Sequence, residues 1–136
     1  MKNIIFVFIL FGIFSSGCTS LTRQENNQLR ELQSQGVTVD HPIGNYEKPV
    51  SGVVAGTLNL LPGFGNFYLG TGNAADSSHI LYGVLNLLFW PTSILWGVPE
   101  AAIDADNINK RELLYYYKYD KKGKEELKKA NITLTE

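Results

Sequence analysis

Few side chains in this sequence could do chemistry, and their spacing does not favour it. Cys18 is the single cysteine, and His41 and His79 are the two histidines, so cysteines cannot form a disulfide or a zinc cluster within the chain. Residues 76–79 read Asp-Ser-Ser-His, which are the residue types of a hydrolase triad, but adjacency in sequence does not give triad geometry. We interpret this stretch as a polar loop that caps a helix, and we predict no catalytic residue.

Metal, nucleotide and nucleic-acid sites are also disfavoured. Asp104 and Asp106 are two residues apart on a predicted helix, so they point to different faces and do not pair around a metal. The glycine-rich segment 63–70 departs from dinucleotide-binding spacing, because Tyr68 stands where the third glycine belongs. The 12 basic and 13 acidic residues give a net charge of −1, which is unlike a nucleic-acid-binding protein. We therefore predict no metal, no cofactor and no nucleic-acid partner.

The N-terminal residues give Cys18 a specific predicted role. Lys2 is followed by an apolar run over residues 4–14 and then by small residues before Cys18. This run fits the apolar region of a signal peptide and is short for a membrane span. Residues 1–18 resemble a bacterial lipoprotein signal peptide with cleavage before Cys18, although Ser15 stands where an apolar residue is more usual.

That resemblance implies removal of residues 1–17 and acylation of Cys18 at its thiol and its amine. Two or more acyl chains, at about 0.8 kcal/mol per buried CH₂, anchor a protein stably. The expected localisation is the bacterial cell envelope, with membrane lipid as a partner and with palmitate-type chains on Cys18. An ordinary cleaved signal peptide and an uncleaved N-terminal anchor are the alternatives.

Residues 18–49 are predicted to be a polar tether. Leu29 and Leu32 are three residues apart, which predicts a short helix over residues 21–35. Residues 37–50 contain Gly and Pro and are predicted to be an extended linker. His41, in this linker, is predicted to lie at the surface.

Residues 50–99 are predicted to form an apolar helical hairpin. Between residues 49 and 99, Asp76 is the only formally charged side chain. The apolar stretches 50–69 and 80–98 are each long enough to approach the roughly 30 Å of the hydrocarbon core as helices. Pro and Gly interrupt both stretches, which membrane helices tolerate when neighbours satisfy the freed backbone groups.

Within the hairpin, small and aromatic residues form a recognisable pattern. Residues 62–70 read Pro-Gly-Phe-Gly-Asn-Phe-Tyr-Leu-Gly. Residues 53–106 resemble the two-transmembrane-helix domain family, whose Gly-rich turn and Phe-Tyr-Leu-Gly precede an apolar helix with a Trp and a later Asp. Here Trp96 and Asp104 take the places of that Trp and Asp, and the spacing between them is longer than in the family. Asn66, just before Phe67 and Tyr68, stands where the family commonly has a basic residue or His. The resemblance implies a helical hairpin in the membrane and no particular activity.

Close packing and membrane contact are expected from a defined set of residues. Two of them, Gly52 and Gly56, form a small-xxx-small pair, which lets helices approach closely and favours self-association. The full membrane or packing motif is predicted to comprise Gly52, Gly56, Gly63, Gly65, Phe67, Tyr68, Gly70, Trp90 and Trp96.

Residues 100–136 are predicted to be a Tyr/Lys-rich helical tail, with a helix from Pro99 to about residue 118. Eight of the 12 basic residues lie between residues 110 and 129. Such a tail suits an anionic membrane surface, and the alternative is a tail that is simply solvated or binds a protein partner. The positive-inside rule would hold it in the cytoplasm, whereas lipidation and two spans would place it outside. One span, two spans and interfacial or re-entrant helices are the alternatives.

Together these features predict an all-α, lipid-anchored helical hairpin that is embedded in or associated with a membrane. The expected function is that of a non-enzymatic envelope lipoprotein that contacts membrane lipid, a second copy of itself or other envelope proteins. The inner membrane is favoured over the outer, because an apolar stretch such as 80–98 tends to arrest during export. The alternative is a small soluble periplasmic or surface domain, tethered only by its lipid, that binds an apolar ligand or a protein through Phe64, Phe67, Trp90 and Trp96.

Overall fold

The regular structure of the described part of the chain is helical, as predicted. A computed structural model describes residues 19–72 and 77–134, and within these ranges it contains six helices and no strand. The helices are α1 Arg23–Ser34, α2 Gly52–Leu58, α3 Phe64–Thr71, α4 Ser78–Leu88, α5 Ile94–Tyr119 and α6 Lys121–Lys129. The predicted signal peptide, Cys18 and Asp76 lie outside the described residues.

Local sequence features account for both ends of helix α1. The Thr22 side chain accepts from the Glu25 N–H, and the Glu25 carboxylate accepts from the Thr22 N–H, which together form a capping box. Gly36 follows the helix at a φ of 82°, a conformation that glycine adopts without strain. Leu29 and Leu32 are buried, so the predicted amphipathic face is the one that packs.

The segment predicted to be a free tether is part of the folded structure. Val37, Tyr46 and Val50 are buried, and the Tyr46 hydroxyl donates to the Asn109 C=O at 2.7 Å. Residues 37–50 are non-helical, as expected, but they are fixed against α5 by these contacts. His41 is exposed.

Helix α5 begins five residues earlier than predicted. The sequence placed Pro99 in the first turn, but α5 starts at Ile94 and includes Pro99 in its interior. A proline there removes one helical hydrogen bond. The helix continues through it because α2 packs along this part of α5, with Gly56 beside Val98 and Ala102.

Two buried apolar clusters lie along α5. The cluster near its C-terminal end comprises Leu29, Leu32, Val37, Tyr46, Leu113, Leu114, Tyr117 and Leu127. The cluster near its middle comprises Val50, Ala55, Leu69, Ala101, Ala105 and Ile108. Helix α5 therefore joins a tyrosine-containing C-terminal core to a core of mostly small residues.

Each of the two long apolar stretches is divided by a turn. Residues 59–63 separate α2 from α3, and residues 89–93 separate α4 from α5. None of the helices in the described ranges has both the length and the apolar character needed to cross a membrane.

Candidate functional site

Residues 52–72 and 77–103, which we call the apolar lobe, expose much of their apolar side-chain surface. Fifteen large apolar side chains are exposed there: Val53, Val54, Leu58, Leu60, Leu61, Phe64, Ile80, Leu81, Val84, Leu87, Leu88, Phe89, Trp90, Leu95 and Ile103. Val53, Leu88 and Leu95 are each more than 70% exposed. Residues 52–72 and 77–98 contain no Asp, Glu, Lys or Arg. Large exposed apolar surfaces are typical of sites that contact a membrane or another protein.

Beside the buried Ala55, Leu69 and Ala101, the apolar lobe also encloses a group of hydrogen-bonded polar side chains, and Asn86 on α4 lies at the centre of that group. Its amide nitrogen donates to the Asn66 Oδ1 at 2.9 Å, and its Oδ1 accepts from the Trp96 indole N–H at 3.0 Å. The Ser93 hydroxyl donates to the Asn86 C=O at 2.7 Å. One side chain therefore joins α3, α4 and α5, with polar groups inside and apolar groups outside.

Asn59, in the turn after α2, makes a second set of interior contacts. Its amide nitrogen donates to the Gly97 C=O, and its Oδ1 accepts from the Gly65 N–H at 3.1 Å. Asn59 and Asn66 are both fully buried. These bonds bring the 59–63 turn to the N-terminal end of α5.

Glu100 is the acidic group of this interior, and it is only 8% exposed. Burial, followed by the charge of Asp104, raises the pKa of Glu100 to about 7, and a hydrogen bond with Asn86 opposes the shift. Among the described residues, neither the Glu100 Oε1 nor the Asn66 Nδ2 has a hydrogen-bond partner. Glu100 is therefore a group whose protonation changes around neutral pH.

At the other end of the apolar lobe, buried polar contacts hold Thr19. Its N–H donates to the Asp104 Oδ1 at 3.0 Å, and its hydroxyl is hydrogen bonded to the His79 Nε2 at 2.9 Å. The Asn107 amide donates to the Thr19 C=O at 2.8 Å. We call Thr19, His79, Asp104 and Asn107 the Thr19 clamp.

The clamp has the residue types of a hydrolase triad without access to substrate. The His79 Nδ1 and the Asp104 Oδ2 are 3.7 Å apart, and both side chains are fully buried. Thr19 is only 2% exposed, so its hydroxyl cannot approach a substrate from solvent in this conformation. These contacts hold Thr19 at a fixed position beside α4 and α5.

The predicted small-residue pair packs within the chain. A Cβ on Gly52 would lie 3.3 Å from the Ala102 C=O, and one on Gly56 would lie 3.5 Å from the Val98 C=O. Both glycines therefore allow α2 to approach α5 closely, and this contact occupies the face that the sequence assigned to self-association.

The other predicted glycines permit contacts between helices of the apolar lobe. A Cβ on Gly65 would lie 2.2 Å from the Ala55 C=O, and one on Gly63 would lie 2.2 Å from the Gly83 C=O. A Cβ on Gly70 would approach the Ile80 side chain to 2.8 Å. The sequence did not single out Gly83, although its lack of a Cβ leaves room for Phe67.

The predicted aromatic residues have different surroundings. Trp90 is 64% exposed in the turn before α5, whereas Trp96 points its indole N–H into the polar interior. The Tyr68 hydroxyl accepts from the Ser51 N–H at 3.0 Å, and Phe67 contacts Phe64 edge to face at 6.2 Å.

Sequence reasoning missed the asparagines and the Thr19 clamp. Asn59, Asn66 and Asn86 each interrupt an apolar stretch, and an asparagine in that setting indicates an interhelical hydrogen bond. The sequence therefore contained enough information to predict hydrogen bonds from these asparagines. No comparable signal joins Thr19 to His79 and Asp104, which are 60 and 85 residues away.

Comparisons with known proteins do not assign this arrangement to a family. No protein-family model, curated protein or solved structure matches the chain.

Proposed function

We propose that this protein is a lipid-anchored cell-envelope protein whose apolar lobe inserts into one leaflet of the membrane, and that its role is structural or interactive rather than enzymatic. The observation that carries the proposal is the inverted polarity of the apolar lobe. Asparagine, serine and glutamate side chains are buried there, while fifteen large apolar side chains are exposed. Water disfavours the exposed apolar side chains, whereas lipid favours them and also favours polar side chains that are paired inside the protein.

The dimensions of α5 support insertion into one leaflet. From Ile94 to Asp104 the helix rises about 15 Å at 1.5 Å per residue, which is half of the roughly 30 Å hydrocarbon core. The 89–93 turn leads directly into the Ile94 end of α5, and the bond from Asn59 to the Gly97 C=O holds the 59–63 turn close to the same end. On this proposal the turns reach the bilayer centre and Asp104 lies near the membrane surface. Of the three topologies predicted from the sequence, this is the re-entrant one.

The Thr19 clamp supports the same orientation. Cys18 is joined covalently to Thr19, whose N–H is bonded to Asp104. Acyl chains on Cys18 would therefore start at the level of Asp104, which is the proposed membrane surface. The acyl chains and the apolar lobe would therefore enter the same leaflet, both starting at the membrane surface.

The apolar surface is large enough to anchor the protein by itself. Burying one large apolar side chain fully stabilises by about 1.5–3 kcal/mol. If each of the fifteen exposed side chains gained only half of the lower figure, the total would be on the order of 10 kcal/mol. A single myristoyl chain gives only marginal binding by comparison.

The test separates the apolar lobe from the lipid. Residues 15–18 are replaced by an ordinary signal-peptidase site, and membranes are washed with alkaline carbonate. We expect the unlipidated protein to stay in the membrane, and a Leu61→Glu/Leu88→Glu variant of it to be released. A Tyr115→Glu/Tyr119→Glu change, at two exposed residues outside the apolar lobe, adds the same charge as the matched control and should not release it. Release of the unlipidated wild-type chain as a soluble folded protein would overturn the proposal and favour the alternative of a soluble domain tethered by lipid.

A further inference from the structure

A groove with a basic rim lies at the C-terminal end of α5, far from the apolar lobe. It has a volume of about 630 Å³ and is bordered by Lys118 on α5 and by Lys124 and Lys128 on α6. No Asp or Glu of the described residues lines it. Pockets of roughly 300–1,000 Å³ are the size that holds a small ligand or a short peptide segment. We call this the cationic groove.

The three lysines of the cationic groove are not neutralised by the described part of the chain. No carboxylate there forms an ion pair with them, whereas Lys48 pairs with Asp40 and Lys110 pairs with Asp106. Three positive charges therefore converge on one concave surface. A ligand that carries negative charge complements it.

The floor of the cationic groove is partly apolar, and Gln28, Asn131 and Thr133 add polar groups to its lining. It includes Tyr117 and Leu127, which belong to the C-terminal core and are 1% and 4% exposed, and Leu134, which is half-buried. The exposed Tyr119 adds an aromatic edge. A simple inorganic anion would use the lysines and leave this floor unfilled, whereas a peptide that carries both carboxylates and apolar side chains would use both.

We propose that the cationic groove binds a short acidic peptide segment of a partner protein, with carboxylates at Lys118, Lys124 and Lys128 and an apolar side chain on the floor. On the orientation proposed above, lipid is the poorer occupant. Lys118 is 14 residues beyond Asp104 on α5, which is about 21 Å of helix. That distance is about twice the Debye length of roughly 10 Å at 0.1 M salt.

The test begins with a peptide library selected against the full chain in neutral detergent micelles, where membrane insertion is not measured. We expect the selected peptides to carry two or more Asp or Glu residues beside an apolar residue, and to bind more weakly as salt increases. Neutral selected peptides would overturn the proposal.

The lysines of α6 provide a matched control. The groove variant is Lys118→Gln/Lys124→Gln/Lys128→Gln. The control variant is Lys121→Gln/Lys122→Gln/Lys129→Gln, which removes the same charge from exposed residues that do not line the groove. We expect the groove variant to weaken peptide binding by about tenfold and the control by less than about threefold, since each exposed ion pair that is lost weakens binding by about twofold. Equal losses would show a general charge effect and overturn the proposal.

Two further probes test the other classes of occupant. Inorganic polyphosphate and vesicles of anionic phosphatidylglycerol are measured against the same two variants. Tighter binding of polyphosphate than of the peptides, lost in the groove variant, would identify a polyanion site and overturn the peptide proposal. A loss of vesicle binding that is confined to the groove variant would identify a site for anionic lipid and would also overturn the peptide proposal. Either result would leave the carbonate test of the apolar lobe unaffected.

Discussion

Asp104 and Asp106 lie two residues apart on α5 and have opposite surroundings. Asp104 is fully buried and accepts from the Thr19 N–H, whereas Asp106 is exposed and pairs with Lys110 one turn away. The sequence predicted that they face different sides of the helix. The sequence did not predict that Asp104 would accept a hydrogen bond from Thr19, the first of the described residues.

An Asp104→Leu variant should be strongly destabilised. It leaves the buried Thr19 N–H and the neighbouring His79 without the carboxylate, and breaking a buried charged contact of this kind costs about 3 kcal/mol. We expect the thermal midpoint in neutral detergent, followed by circular dichroism, to fall by roughly 10 °C. The Asp106→Leu control loses only a surface pair and should change stability by about 0.5 kcal/mol or less. Equal effects of the two changes would contradict the structural role of the Thr19 clamp.

Glu100 should make the stability of the apolar lobe depend on pH. Its pKa is about 7 in the folded chain against an ordinary value of 4.5, so the folded state binds the proton more tightly. Protonated Glu100 therefore stabilises the folded state relative to the unfolded state. This stabilisation is fully present below pH 4.5, declines between pH 4.5 and about pH 7, and is lost above about pH 7. A difference of about 2.5 pH units corresponds to about 3 kcal/mol.

A Glu100→Gln variant should remove this dependence, because Gln is neutral at every pH. We expect the thermal midpoint of the wild-type protein to fall between pH 5 and pH 8, and that of the variant to fall much less. Glu125→Gln, at an exposed residue on α6, should keep the wild-type behaviour. The assignment to Glu100 fails if all three proteins show the same change.

At the scale of elements, glycines set the distances between helices in the apolar lobe. The sequence marked Gly52 and Gly56 for close helix approach, and the structure places both against α5. The sequence could not specify which helix packs against this pair, because a small-xxx-small face fits a second copy of the chain as well as another helix of the same chain. The position of α1 was easier to predict, since its leucine spacing is a local feature.

A Gly65→Ala variant tests this packing. The added Cβ would lie 2.2 Å from the Ala55 C=O and 2.8 Å from the Asn59 Cβ, so α2 and α3 would have to move apart. Overpacking of this kind costs typically about 1–3 kcal/mol, which should lower the thermal midpoint. Gly72→Ala is the control, because its Cβ would meet nothing closer than 3.6 Å and its φ of −77° suits alanine. A stability of Gly65→Ala equal to that of the control would contradict the packing of α2 against α3.

On the scale of the whole molecule, α5 joins two environments. Its N-terminal part, with Leu95 and Ile103 exposed, belongs to the apolar lobe. Its C-terminal part, with Leu113 and Tyr117 buried, belongs to a core whose outer surface carries lysines and carboxylates. On the proposed orientation one continuous helix passes from lipid into water.

Tryptophan fluorescence measures that orientation. Trp90 lies in the turn proposed to reach the bilayer centre, so lipids brominated near the acyl-chain ends should quench the protein more than lipids brominated near the headgroup. Trp90→Phe should remove most of the deep quenching, and it retains the bond from Trp96 to Asn86. Quenching of Trp90 by aqueous acrylamide, without quenching by any brominated lipid, would contradict insertion of the apolar lobe.

The sequence by itself determined the helical class, the position of α1 to within two residues and the concentration of apolar residues between positions 49 and 99. These follow from local spacing, capping and composition, which act between near neighbours. Only the tertiary structure decided that residues 37–50 are packed, that α5 continues through Pro99 and that Thr19 is held by Asp104. The physical reason is that each of these depends on contacts between residues far apart in the chain. The same holds for the polar interior, since Asn86 acquires its role only when α3 and α5 supply Asn66 and Trp96 as partners.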